Sequence, residues 1–218
     1  MHVKQLKINP LTLLLIPAVS AVLALWGLGF LFKAGVAASS MFILVWLYVR
    51  KAIFQRDIWA IFAAFLFSIA GDWFLCNRNG ETSRFIMGIV LFFGAHVGYL
   101  VFGLLNGRLP RLITLLILVT YLGFYFFLLS PGIGVPALQM TSLCYLLISC
   151  VSLGAALGAK GSPAFRWLYI TGIALILFSD TSIALHEFMK YNSFSFLILP
   201  TYYLAQISIT AALISRIF

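Results

Sequence analysis

Residues 57–76 read DIWAIFAAFLFSIAGDWFLC. Past the edge residue Asp57, this stretch holds a single charged side chain, Asp72, in an otherwise apolar run. A helix needs about 20 mainly apolar residues to cross the hydrocarbon layer of a bilayer, so the run reads as a membrane span. Working outward, similar stretches cover 11–31, 33–49, 85–105, 111–130, 134–157, 164–188 and 194–216. Polar and helix-breaking clusters separate them: Arg50-Lys51, Arg78-Asn79-Gly80-Glu81, Asn106-Gly107-Arg108-Leu109-Pro110, Ser130-Pro131-Gly132 and Lys160-Gly161-Ser162-Pro163. The expectation is an all-α integral membrane bundle of eight transmembrane helices, forming a single domain over 1–218.

Composition agrees. Of 218 residues, 63% are hydrophobic and 9% are charged, with a mean hydropathy of +1.11. A soluble domain carries about 25% charged residues, so this chain cannot cover a globule with polar surface. Disorder, a secreted disulfide scaffold and a cytosolic enzyme are excluded on the same ground. Three cysteines, Cys76, Cys144 and Cys150, make no even-numbered disulfide framework. The N-terminal run from Lys4 and Lys7 to Ala18-Val19-Ser20-Ala21 has signal-peptide features, but its apolar stretch continues past that point and reads better as the first span.

The net charge of +9 would point to nucleic acid in a soluble protein; in a membrane protein it reports sidedness, and no nucleic-acid partner is expected. Eight spans place Lys4, Lys7, Arg50, Lys51, Arg56, Arg108, Arg111, Lys160, Arg166 and Arg216 on one side, and Lys33, Arg78, Arg84 and Lys190 on the other. That bias predicts both termini in the cytoplasm. Short loops and the lack of tails fit a bacterial inner membrane. Nothing in the sequence sets an oligomeric state.

Chemistry is concentrated in few residues. Asp57 and Glu81 sit at span edges beside arginines and are expected to be solvated. Asp72 and Asp180 lie within spans, where a charged residue costs roughly 2.5–3.5 kcal/mol and needs a compensating reason. Each lies 15 residues beyond its span's cytoplasmic edge, near Asp57 and Phe165, a depth of about 22 Å for both. Small residues precede them, Ser68 through Gly71 in one case and Ser179 in the other, permitting close helix approach and a hydroxyl partner for the carboxylate. A polar clasp without chemistry is the bland reading; matched depth favours a catalytic pair. Ser68-x-x-Gly71-Asp72 and Ser179-Asp180 stand four spans apart, which suits two parallel four-helix halves related about the membrane normal.

Supporting groups fall near the same level. His96 and Tyr99 form a one-turn pair. Tyr202, Tyr203 and Gln206 stand in the last span, and Glu187 lies seven residues past Asp180 on the same face. Lys33 opens the second span from the outer side as a cation for a phosphate. His186, near a helix end, reads as unremarkable. No zincin pair, nucleophile elbow or Walker loop is present, and three scattered histidines make a poor metal site, so neither metal nor cofactor is expected. Ile69-Ala70-Gly71-Asp72 approaches the G-x-G-D of intramembrane aspartyl proteases but lacks its first glycine.

Taken in order, Ser68-x-x-Gly71-Asp72-x-x-Leu75, His96-x-x-Tyr99, Gly172 with Ser179-Asp180-x-x-Ile183-Ala184, and Tyr203-x-Ala205-Gln206 resemble the YhhN-like lysoplasmalogenase family of integral membrane proteins. The resemblance runs from about Lys33 to Gln206. It departs at Lys33-Ala34, where the family often has Lys-Pro, and at Leu177, where it often has phenylalanine. The resemblance implies plasmalogen lipid metabolism: hydrolysis of the vinyl ether bond of a lysophospholipid substrate, giving a fatty aldehyde and glycerophosphoethanolamine or glycerophosphocholine. It implies Asp72 and Asp180 as acid and base, with one carboxyl protonated and one ionised, as glycosidases divide labour between two carboxyls. Two neighbouring carboxyls push their titrations apart, which suits that division. A proton-coupled transporter or a lipid-binding membrane protein also suits intramembrane aspartates in a repeat.

Overall fold

The computed structural model describes residues 10–53 and 55–218. Its elements are all helical. A 3₁₀ turn, Pro10–Leu14, leads into α1 (Leu15–Leu25); then follow α2 (Phe30–Arg50), α3 (Ile58–Cys76), α4 (Thr82–Leu105) and α5 (Arg111–Phe124). α5 continues through a π-helical turn, Tyr125–Leu129, and a 3₁₀ turn, Ser130–Gly132. α6 (Pro136–Leu157), α7 (Pro163–Met189) and α8 (Ile198–Ile217) complete the bundle, with a 3₁₀ turn, Ser195–Leu197, before α8. Prolines open α6 and α7 at the first helical position, where a missing N–H costs nothing. Ser162 caps α7 by accepting from the Phe165 amide at 3.2 Å. Lys190, at φ 58°, ends it.

Among the described residues, seven helices are long and apolar enough to cross a bilayer. The expected first span, 11–31, is shorter than predicted: its helical part is Pro10–Leu25 among the described residues. Gly27 and Gly29, at φ +80° and +99°, adopt backbone angles that L side chains resist, and they turn the chain before the apolar run ends. α2 accordingly starts at Phe30, and Lys33 lies within its first turn rather than opening it. Large apolar side chains face outward around the molecule, among them Leu31, Phe42, Trp59, Leu112, Phe127 and Trp167. Water would not tolerate so much exposed apolar surface on a monomer; the chain is a multi-pass membrane protein.

The two ends of the bundle differ. At one, here the base, the loops are stitched together: Arg108 N–H donates to Gly158 O at 3.1 Å and Lys160 N–H to Asn106 O at 2.8 Å. Asp57 was expected to be solvated; instead its Oδ2 accepts from Arg216 Nη1 at 2.5 Å and Asn106 Nδ2 at 2.8 Å, locking the start of α3 to the ends of α4 and α8. Arg50, Lys51, Arg56, Arg108, Arg111, Lys160, Arg166 and Arg216 all lie at this end, whereas Lys33, Arg78, Arg84 and Lys190 lie at the other, here the mouth. This sorting does not depend on α1. Lys4 and Lys7 lie outside the described residues.

Helix neighbours repeat across the two halves. α1 packs on α2 as α5 does on α6; α2 packs on α3 as α6 does on α7; and the tight α3–α4 seam recurs as α7–α8. The cross pair α2–α8 has its counterpart in α6–α4. Small residues bring the tight seams together: a Cβ at Gly98 would strike Ala60 and Ala64 across α3–α4, and one at Gly172 would strike Ile209 and Ala205 across α7–α8. One pair breaks the pattern. α1 packs on α8, but α5 has no comparable packing on α4.

Candidate functional site

The tight seams carry the two acidic residues inward. Asp72 lies 14 residues after the start of α3, and Asp180 lies 17 after the start of α7. Both line one polar cavity, an empty volume of about 830 Å³ at the mouth end, together with Lys33, Arg78, Ser179, His186, Glu187 and Tyr202. Beside this cavity lies a second, mostly apolar one of about 720 Å³ between α4, α5, α6 and α7. Leu75, Phe85, Phe92, Asp180 and Ile183 belong to both walls. Asp180 thus stands at the junction of a polar and an apolar space.

Each aspartate is held from the opposite half. Tyr202 Oη, from α8, donates to Asp72 Oδ2 at 3.1 Å. His96 Nε2, from α4, lies 3.3 Å from Asp180 Oδ2. Asp180 has a second partner, Tyr145 Oη of α6, which donates to the same oxygen at 2.6 Å. The Tyr145 and His96 rings meet edge to face, 5.3 Å between centroids, and fix each other's tilt. Such partners are what a carboxyl needs when taken out of water.

Among the residues singled out from sequence, the structure gathers Lys33, Asp72, Ser179, Asp180 and Glu187 around the polar cavity, and sets His96 on Asp180 from behind. Lys33 Nζ contacts Cys76 Sγ at 3.4 Å. Glu187 accepts from Arg78 Nη1 at 2.7 Å. Ser179 does not serve its neighbouring aspartate as expected: its hydroxyl donates to Ile198 O at 2.8 Å, tying α7 to the start of α8. Ser68 likewise stands beside the Tyr99 and Tyr202 phenols, one step removed from Asp72. Gly71 shapes the cavity indirectly, since a Cβ there would meet the Phe92 ring at 2.8 Å, and Phe92 is a wall of both spaces.

Tyr99, Tyr203 and Gln206 line neither cavity. Tyr99 is buried, and its backbone oxygen accepts from Tyr169 Oη at 2.6 Å. Tyr203 packs with Ala21, Ala24 and Val36, and Gln206 is fully buried in α8. Sequence reading missed Tyr145, yet a signal existed. Ser142, Tyr145, Ser149 and Ser152 fall three or four residues apart, a polar stripe facing inward on an otherwise apolar helix. Arg78 was placed in an outer turn, but it reaches the cavity wall and lies 4.2 Å over the Phe85 ring.

Comparison with known proteins gives one match. No curated protein and no solved structure matches the chain. The YhhN family model matches residues 8–213, nearly the whole length, and the chain belongs to that family.

Proposed function

We propose that this protein is a lysoplasmalogenase, cleaving the vinyl ether of a single-chain plasmalogen by acid–base catalysis with Asp72 and Asp180. The reading is carried by one observation: both carboxyls face one polar cavity that also holds Lys33 and Arg78, and Asp180 borders an apolar space as well. A lysoplasmalogen has the same order of parts, with a hydrocarbon chain, then the vinyl ether, then a phosphate head. Membership of a family that includes lysoplasmalogenases supports it.

The chemistry uses both groups. A carboxylic acid delivers a proton to the vinyl carbon remote from oxygen, forming a C–H bond and leaving an oxocarbenium ion. Water then bonds through oxygen to the carbon bearing the ether oxygen, while its proton goes to the other, ionised carboxyl. As the bond to the glyceryl oxygen breaks, that oxygen takes the proton held by the second carboxyl and the hemiacetal hydroxyl gives its proton back to the first, so a fatty aldehyde and the glycerophosphodiester head leave and both carboxyls are reset. One water is consumed. Tyr145, His96 and Tyr202 orient the carboxyls, and the surrounding apolar walls limit water to that which reacts.

Purified protein in detergent, given lysoplasmenylethanolamine, releases aldehyde on this reading. A proton-coupled transporter or lipid carrier with the same cavity releases none.

A further inference from the structure

The polar cavity contains an ion pair that the hydrolysis does not use. Arg78 follows α3, Glu187 lies in the last turn of α7, and their side chains meet at 2.7 Å, half-buried on the cavity wall. Phe85 supports the guanidinium from below at 4.2 Å. Arg78 Nε is buried and makes no hydrogen bond among the described residues, so the fork retains an unused donor. Lys33 lines the same wall, and among the described residues no carboxylate pairs with it. Besides the two aspartates assigned to the chemistry, the cavity therefore offers two cations, Lys33 and Arg78, and one further anion, Glu187.

We infer that Arg78 and Glu187 form a zwitterion-reading site that takes the phosphate–ammonium head of a lysophospholipid by exchanging their mutual pair for two new ones. The phosphate binds Arg78 and Lys33, and the ammonium or choline moves to Glu187. A guanidinium fork suits phosphate oxygens, and its idle Nε–H gains an acceptor on exchange. A head that ends in a bare phosphate gains Arg78 but sets its own negative charge against Glu187. The anion thus selects against that lipid by repulsion, and for the zwitterion by attraction. This rests on the lysophospholipid reading of the cavity given above, and it adds which residues read the head.

Saturated alkyl ether lipids test it independently of catalysis, because they lack the double bond to be cleaved. Binding of 1-O-hexadecyl-glycerophosphoethanolamine and of 1-O-hexadecyl-glycerol phosphate is measured by titration calorimetry on the full-length protein in detergent. The wild type should prefer the ethanolamine lipid. Glu187→Gln should weaken that lipid about tenfold, the scale of a hydrogen bond to a charged group, while leaving the phosphate lipid unchanged or tighter. Arg78→Gln should weaken both, and Glu187→Asp, which keeps the charge, should restore the preference. If the wild type binds neither lipid, or binds both without preference, or if Glu187→Gln shifts both equally, the inference is overturned. Aldehyde release without head-group preference would sink it and leave the hydrolase reading standing. Preference without aldehyde release would do the reverse.

Discussion

The hydroxyl of Tyr145 donates to Asp180 Oδ2 over 2.6 Å, from the helix that precedes α7 in the chain. It is the shorter of the two polar contacts on that oxygen, His96 being 3.3 Å away. Tyr145→Phe removes the donor and keeps the ring that packs on His96. Hydrogen bonds to charged groups contribute about 1.5–3 kcal/mol, so kcat for aldehyde release should fall roughly ten- to a hundredfold with KM little changed. An unchanged kcat would mean that Asp180 needs no such partner.

Asp72→Asn and Asp180→Asn should each lower turnover by about 10²–10⁴-fold while the protein still folds, because an amide cannot exchange the required proton. The double variant should be little worse than either single one, as expected of groups that act together. Near-normal activity with a displaced melting temperature would instead identify the pair as a structural clasp.

Ala184 lines the apolar cavity on α7, close in sequence to Asp180. Ala184→Trp should fill part of that space. KM for a long-chain lysoplasmalogen should rise about tenfold or more, the worth of one or two lost methylene contacts, with a smaller effect on a short-chain substrate. Equal effects on both chain lengths would remove the cavity from the tail's path.

Arg216→Gln leaves Asp57 with Asn106 alone at the base, in a site only 11% exposed. Breaking a fully buried pair costs about 3–5 kcal/mol. Partial exposure here reduces the expected loss of stability to about 1–3 kcal/mol, measured by thermal melting in detergent, with kcat retained. A drop in kcat at unchanged stability would contradict a purely structural base.

The basic bias of the base predicts that it faces the cytoplasm. In a cysteine-free background, Arg108→Cys should be labelled by an impermeant reagent only after the cytoplasmic face is exposed, and Arg78→Cys from the outer face of intact cells. Labelling of both from one face would refute this topology.

Hydropathy made seven of the eight helices legible, because a long apolar run has no other way to be stable. It overran the first, where the apolar character of Leu28 and Phe30 hides a turn set by Gly27 and Gly29. Counting residues along straight helices put Asp72 and Asp180 at one depth; the helices start differently, so the two stand 14 and 17 residues in, and both line one cavity. What counting could not supply was partners. Asp57 looked solvated because its neighbours in sequence are polar; its burial depends on Arg216, 159 residues away. Ser179 sits beside Asp180 in sequence, but its hydroxyl follows the helix surface to Ile198. Tyr145 carries no charge, so only its place in the α6 stripe marks it.

The sparse packing of α5 on α4 has its own consequence. Where α1 closes on α8, the alanines Ala21 and Ala24 fill the seam beside Tyr202 and Tyr203. On the other side α5 leans mainly on α6 and meets α7 through Tyr121 and its π-helical end, so the apolar cavity lies between it and α4. Those helices are membrane-span candidates over the stretches that line the cavity. On the lysoplasmalogenase reading proposed above, a lysolipid would enter from its own leaflet toward Asp180 without its tail ever crossing water. For a reaction run this way the quantity that sets the rate is surface density: turnover follows the mole fraction of substrate among the neighbouring lipids, and diluting the vesicles in buffer leaves it unchanged.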